Sequence, residues 1–92
     1  MKNKEKEIEL FTELFSECEE GIIYLILGSA ISSDNNFSAD DARENLENLE
    51  VIEEAMKKSN RPQNEKDEFL KRIADGKRIL NQDIQDFENN KQ

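Results

Sequence analysis

Apolar residues recur along the first third of the chain at alternating steps of three and four: Ile8, Phe11, Phe15, Cys18, Ile22 and Leu25. That spacing is the seam of an amphipathic helix and predicts one from about Lys4 to Ile31, with Leu10 and Leu14 widening the stripe. From Ile22 onward the pattern changes. At roughly 100° per residue, Tyr24, Leu27 and Ile31 point to the side opposite Phe15. The second half of this helix is thus apolar nearly all round, which asks for cover on both sides, by other helices or by a second chain. Gly21 and Gly28 bracket the run from Ile22 to Leu27, so the same residues also read as a short buried strand. A lone strand would need a partner from another chain.

Ser32 to Phe37 is rich in Ser, Asp and Asn and reads as a loop. Ser38 then suits an N-cap, with Asp41 as a short-armed capping-box acid, and Asp40 and Asp41 complement the helix dipole. A second helix is predicted to run from residue 39 to Lys58, with Ala42, Leu46, Leu49, Ile52 and Met56 on its apolar arc. Ser59-Asn60-Arg61-Pro62 breaks the pattern, since the residue before proline is pushed out of the helical region. Asn64 with Asp67 reads as the next cap pair. The third helix extends from Asn64 to about Glu88, with Phe69, Leu70, Ile73, Leu80, Ile84 and Phe87 on one side. Gly76 lies within that side and marks a close helix approach. Glu53 and Lys77 fall inside the apolar arcs of their helices, so each needs an opposite charge; the pattern predicts that they meet.

A chain of 92 residues with three Gly and one Pro suits one domain of long helices better than a turn-rich β fold. The expected fold is therefore all-α: a three-helix antiparallel bundle over residues 1–92, completed by dimerisation if the apolar face of the first helix is left uncovered. The longest apolar run, Ile22 to Leu27, is far short of the roughly 20 residues that span a bilayer. No secretory leader is legible, and the single cysteine fits a reducing compartment, so a cytoplasmic location is expected.

Charge changes the picture more than composition does. Between Ser32 and Met56 there are eight acidic residues and one base, Arg43, whereas Lys57 to Gln92 carries nine bases against seven acids. Much of the net charge of -9 is thus local, and a local field steers a basic partner toward one face. It also repels a phosphate backbone, which argues against direct nucleic-acid binding.

Catalytic chemistry is largely missing. The chain has no His, which removes the commonest general base and metal ligand. Cys18 lies in the apolar seam, where a thiol is packing rather than a nucleophile. Asp34, Asn36, Ser38 and Asp40 match the odd-numbered ligand positions of a calcium loop, yet Ala39 stands where Gly is needed and Asn45 where the bidentate Glu is needed. Glu44, Glu47, Glu50 and Glu54 have the spacing of di-metal carboxylates, but they lie opposite Leu46 and Leu49 and so face outward. No enzyme activity, cofactor or metal is expected.

The outward acids instead suggest a surface. Asp40, Glu44, Glu47, Glu50 and Glu54 form one stripe about 20 Å long at 1.5 Å per residue, with Val51 expected as an exposed aliphatic anchor in its middle. A rigid row of carboxylates resembles several phosphates in sequence and occupies the basic groove of a nucleic-acid-binding enzyme without the entropy cost of ordering a flexible tail. The alternative is a homo-oligomeric adaptor joined through Tyr24, Leu27, Ile31 and Ile79, with the acidic face serving solubility alone. In size, acidity and helical content the chain resembles phage-encoded inhibitors of the anti-CRISPR and anti-restriction kinds, and small bacterial immunity proteins. The resemblance is one of type, without a shared motif, and carries over no functional residues. Taken together, a small acidic inhibitor of a basic, nucleic-acid-binding protein is expected.

Overall fold

A computed structural model of the chain describes residues 3–31 and 38–89, and every element among them is helical. There are four helices rather than three: α1 (Lys4–Glu17), α2 (Glu20–Ile31), α3 (Ala39–Lys58) and α4 (Gln63–Asn89). The strand reading of Ile22 to Leu27 is corrected, because that run lies wholly within α2.

The helix expected over residues 4–31 is interrupted at Cys18, which is extended (φ −81°, ψ 165°) and closes α1 by donating its N–H to the Leu14 carbonyl at 2.9 Å. Arg61 donates to the Cys18 carbonyl that the break leaves outside the helix, and local charge agrees with a boundary here. Glu17, Glu19 and Glu20 would crowd the middle of one long helix, whereas Glu20 at the start of α2 faces the positive end of a helix dipole. The break rotates the apolar face. A continuous helix would bury Ile22 and Leu25, but Ile23 and Leu27 are buried instead, and Ile22 and Leu25 are turned toward solvent.

α3 is the central element. It packs antiparallel to α4, with Arg43 reaching Glu88 at 3.1 Å near one end and Glu53 meeting Lys77 at 2.9 Å farther along, as the apolar arcs require. That second pair is only part-buried, so screening limits its contribution to about 1 kcal/mol. α1 and α2 both lie against α3, and α2 also packs on α4. Phe15, Ile23, Leu49, Met56, Phe69, Ile73 and Leu80 have no solvent exposure and form the centre of the core. Phe15 stands edge-on to Phe69 at 5.6 Å, and Tyr24 meets the same ring at 5.9 Å, so one aromatic side chain of α4 organises both α1 and α2. Each such pair adds about 0.5–1.5 kcal/mol beyond its buried area.

The caps follow local chemistry. Ser38 Oγ accepts from the Asp41 N–H at 3.2 Å, and Lys66 Nζ donates to the Lys57 carbonyl at 3.0 Å near the end of α3. Asn64 is not a cap, because α4 already includes Gln63; the Pro62 carbonyl accepts from both Glu65 and Lys66 at 3.1 Å, so the helix starts where the proline ring fixes φ.

Between α3 and α4 the chain turns back onto the end of α1. Asn60 donates its N–H to Ser16 Oγ at 3.1 Å. Arg61 donates from Nη2 to the Cys18 carbonyl and from Nη1 to Glu65 at 3.4 Å, with the side chains of Arg61 and Glu65 only 12% and 19% exposed. Replacing Arg61 by Ala leaves the Cys18 carbonyl and the Glu65 carboxylate poorly solvated, and should destabilise the fold by about 2–3 kcal/mol. Chemical denaturation measures this. A change below about 0.5 kcal/mol, the range of ordinary surface substitutions, would mean that the corner does not depend on the guanidinium.

Gly76 gives a second test. A Cβ built there would lie 2.6 Å from Ile31 Cδ1 and 3.3 Å from Leu49 Cδ1, so α2 reaches α4 only because that side chain is missing. Gly76→Ala should destabilise the wild type despite gaining about 1 kcal/mol in helix propensity. In an Ile31→Ala background the same change should become neutral or stabilising. Additive effects in this double-mutant cycle would contradict the contact.

Candidate functional site

α3 carries the acids of the expected stripe, and its Ser38 cap and packed opposite face hold them on a rigid rod. Asp40, Glu44, Glu47 and Glu50 are exposed and Glu54 is half-buried. The row is partly neutralised from within the chain. Asp40 pairs with Arg43 at 3.2 Å, Glu50 with Lys4 at 3.4 Å and Glu54 with Lys57 at 3.7 Å. These are solvent-exposed contacts and screened ones, so each constrains its carboxylate only weakly. Because Lys4 opens α1 and reaches Glu50, α1 covers only the C-terminal half of this face. Glu47 borders the start of α1 through a hollow that it shares with Lys4 and Glu7, and Asp40 and Glu44 stand nearer the start of α3.

Val51 is corrected. It is 5% exposed rather than an open anchor, because the four-helix arrangement lays α1 over the middle of the stripe. Shallow hollows beside it are lined by Lys4, Glu47, Glu50 and Glu54, so the acids border a small concavity rather than a flat stripe.

The oligomer surface expected from the second half of the first helix is also corrected. Leu27 is 4% exposed and belongs to the core, Ile31 packs over Gly76, and Tyr24 is half-buried between Phe69 and Arg72, whose guanidinium carbon lies 4.9 Å from the ring centroid. Of the two covers that the sequence allows, other helices or a second chain, α4 supplies the first. Only Ile79 of that set remains exposed.

A different apolar surface was not anticipated. α1 and α2 each lean on α3 more than on each other, leaving between them a cleft of about 310 Å³. Phe11, Ile26, Ala30, Val51 and Ile52 line it, with Glu7 and Asn48 at its rim. Among the described residues the exposed large hydrophobics are Leu10, Leu14, Ile22, Leu25 and Ile79, and four of these five stand on the two helices that form the cleft. The break at Cys18 was the missing information: in an unbroken helix Ile22 and Leu25 belong to the core seam.

Cys18 is half-buried with its carbonyl engaged by Arg61, and its role is to end α1. The calcium-loop residues Asp34 and Asn36 lie outside the described residues, while Ser38 serves as a helix cap. Among the described residues no three His, Cys, Asp or Glu side chains gather to hold a metal, and no helix is long and apolar enough to cross a membrane. No protein-family model matches the chain, and neither a curated protein nor a solved structure shows significant similarity to it.

Burial raises the pKa of Tyr24 above its ordinary value of 10.0, and the Arg72 cation works against that rise. The neutral phenol is thus favoured in the folded state, so this site's contribution to stability is complete below pH about 10 and declines above it. Tyr24 is the single tyrosine and there is no Trp, so phenolate absorbance reports this one group. Its midpoint should lie above 10, and Arg72→Gln should move it higher still. A midpoint at the ordinary value in both proteins would place the ring in solvent.

Proposed function

We propose that the protein is a small acidic inhibitor that binds the basic surface of a nucleic-acid-binding protein. The observation that supports this reading is the exposure of Asp40, Glu44, Glu47 and Glu50 along one helix, α3. Carboxylates fixed on a capped, packed helix meet a cationic groove without first being ordered, so complementarity appears in association rate and partner choice. The ion pairs with Arg43, Lys4 and Lys57 fit the same role, since exposed pairs of this kind exchange readily for a partner's Lys or Arg. The homo-oligomeric adaptor reading is weaker, because Leu27 is core and Tyr24 and Ile31 are engaged by α4.

The test is a four-fold substitution, Glu44→Gln, Glu47→Gln, Glu50→Gln and Glu54→Gln. Both residue types are good helix formers, so helicity should be nearly unchanged. Affinity purification from host cells with wild type and variant side by side should recover a basic nucleic-acid-binding protein with wild type alone. That capture should weaken as salt rises from about 0.1 to 1 M and the screening length falls from about 10 to 3 Å. Recovery of the same partners by both baits, independent of salt, would assign the acids to solubility.

A further inference from the structure

We propose that α1 is exchangeable: two copies of the chain pair by straightening at Cys18 and Glu19, each laying its α1 on the α3 of the other. This pairing is independent of the acidic face of α3.

The backbone at the hinge is already close to helical. The Cys18 N–H makes the helical bond to the Leu14 carbonyl at 2.9 Å, and φ at Cys18 is −81°, inside the helical range. Only its ψ, 165°, departs. The groups freed by the bend have a second set of partners. In the bend, Arg61 serves the Cys18 carbonyl, and the Ile22 N–H donates to the Glu19 carbonyl at 3.0 Å. In one continuous helix the Ile22 N–H would donate to the Cys18 carbonyl instead. Arg61 is thus a latch that competes with a helix's own hydrogen bond.

Straightening also reorders the surface. At roughly 100° per residue in a continuous helix, Leu14, Cys18, Ile22 and Leu25 fall within about 80° of one another. Glu7, Phe11, Ile26 and Ser29 line the cleft between α1 and α2, and they fall on that same side, within about 120° in all. Glu13, Glu17 and Glu20 gather on another side, about 130° away. The bend instead leaves Leu14 and Ile22 each 41% exposed and Leu25 68% exposed. In an exchanged pair the α1 of one copy faces the α2 of the other across the same cleft. The two apolar stripes then meet antiparallel beside the two-fold axis, with Glu13, Glu17 and Glu20 turned away.

The contacts of α1 select a second copy as its exchange partner. When α1 lifts off α3, Phe15 leaves a fully buried place beside Phe69. Another α1 restores that place unchanged, so exchange keeps the core and adds the buried stripe. Three things oppose it: the Arg61 latch, the repulsion of Glu13, Glu17 and Glu20 at steps of four and three, and the effective concentration of a tethered α1, which is of millimolar order. Monomers therefore dominate in dilute solution, and pairs form near millimolar concentration.

The test uses the full chain with Cys18→Ser, and with spin labels on thiols introduced by Glu7→Cys and Ser29→Cys. Both positions line one cleft in the bend, whereas a continuous helix holds them about 33 Å apart. Labelled protein is unfolded and refolded at millimolar concentration with excess unlabelled chain, so that each pair carries one labelled copy, and monomer and dimer are separated by size. Electron-spin distance measurement should find the long intrachain distance in the dimer and a short one in the monomer. Glu17→Gln with Glu20→Gln, at exposed positions outside the core, should tighten pairing about fivefold. Glu19→Pro should abolish pairing, because proline interrupts a continuous helix while the extended Cys18 before it suits a proline. A dimer that keeps the short distance, or that persists with Glu19→Pro, is held by surface contact and overturns the exchange. So does the absence of a dimer from both the wild type and the Glu17→Gln, Glu20→Gln variant.

Discussion

The planar guanidinium of Arg61 sits where three chain segments converge: the end of α1, the turn after α3 and the first turn of α4. Its donors reach the Cys18 carbonyl, which α1 leaves unsatisfied when the helix stops, and the Glu65 carboxylate. An orphan carbonyl at a helix end needs a partner, and a fixed fork of N–H groups serves a carbonyl and a carboxylate together. The Ser16 hydroxyl, which accepts from the Asn60 N–H and donates to the Thr12 carbonyl, tightens the same corner. With the corner fixed, the direction of α2 is fixed, and with it the choice of Ile23 and Leu27 as core residues. The aromatic contacts of Phe69 with Phe15 and Tyr24 become possible in that geometry.

The acidic excess is spread over two surfaces with different characters. On α3 the carboxylates stand on a helix whose remaining face is packed against α4, and several are matched by cations from α1 or from α3 itself. On α1 and α2 exposed leucine and isoleucine dominate, with Glu7 at the cleft and Glu9 and Glu13 beside Lys58 on another side of α1. The first surface depends on charge alone and is sensitive to salt. The second exposes apolar side chains, whose burial is non-directional and scales with the area removed from water.

Much of the fold is legible in the sequence because helix caps and steric gaps are local signals. Ser38 with Asp41, the stop at Lys58 and the break before Pro62 all follow from residues adjacent in the chain. Gly76 and the Glu53–Lys77 pair are legible for a related reason: a missing Cβ or a charge within an apolar arc implies a neighbour whichever helix provides it. The interruption at Cys18 is not legible in this way. The apolar seam from Ile8 to Leu25 is unbroken in the sequence, and the group that caps α1 lies 43 positions away. The exposure expected of Val51, the place of Leu27 in the alternative oligomer surface and the absence of a cleft from the sequence reading all belong to an unbroken first helix. The three closely spaced glutamates, Glu17, Glu19 and Glu20, are the one local sign of a helix boundary there.

The central position of α3 also divides the molecule by distance along the chain. The contact of Glu53 with Lys77 closes a loop of 24 residues, whereas Lys4 with Glu50 and Ser16 with Asn60 span 46 and 44. Closing the longer loops costs more chain entropy before any burial rewards it. The α3–α4 hairpin is therefore the natural nucleus, and α1 and α2 dock onto it afterwards. By the same reasoning the α1–α2 arm, which carries most of the exposed large hydrophobics among the described residues, opens first when the native state fluctuates.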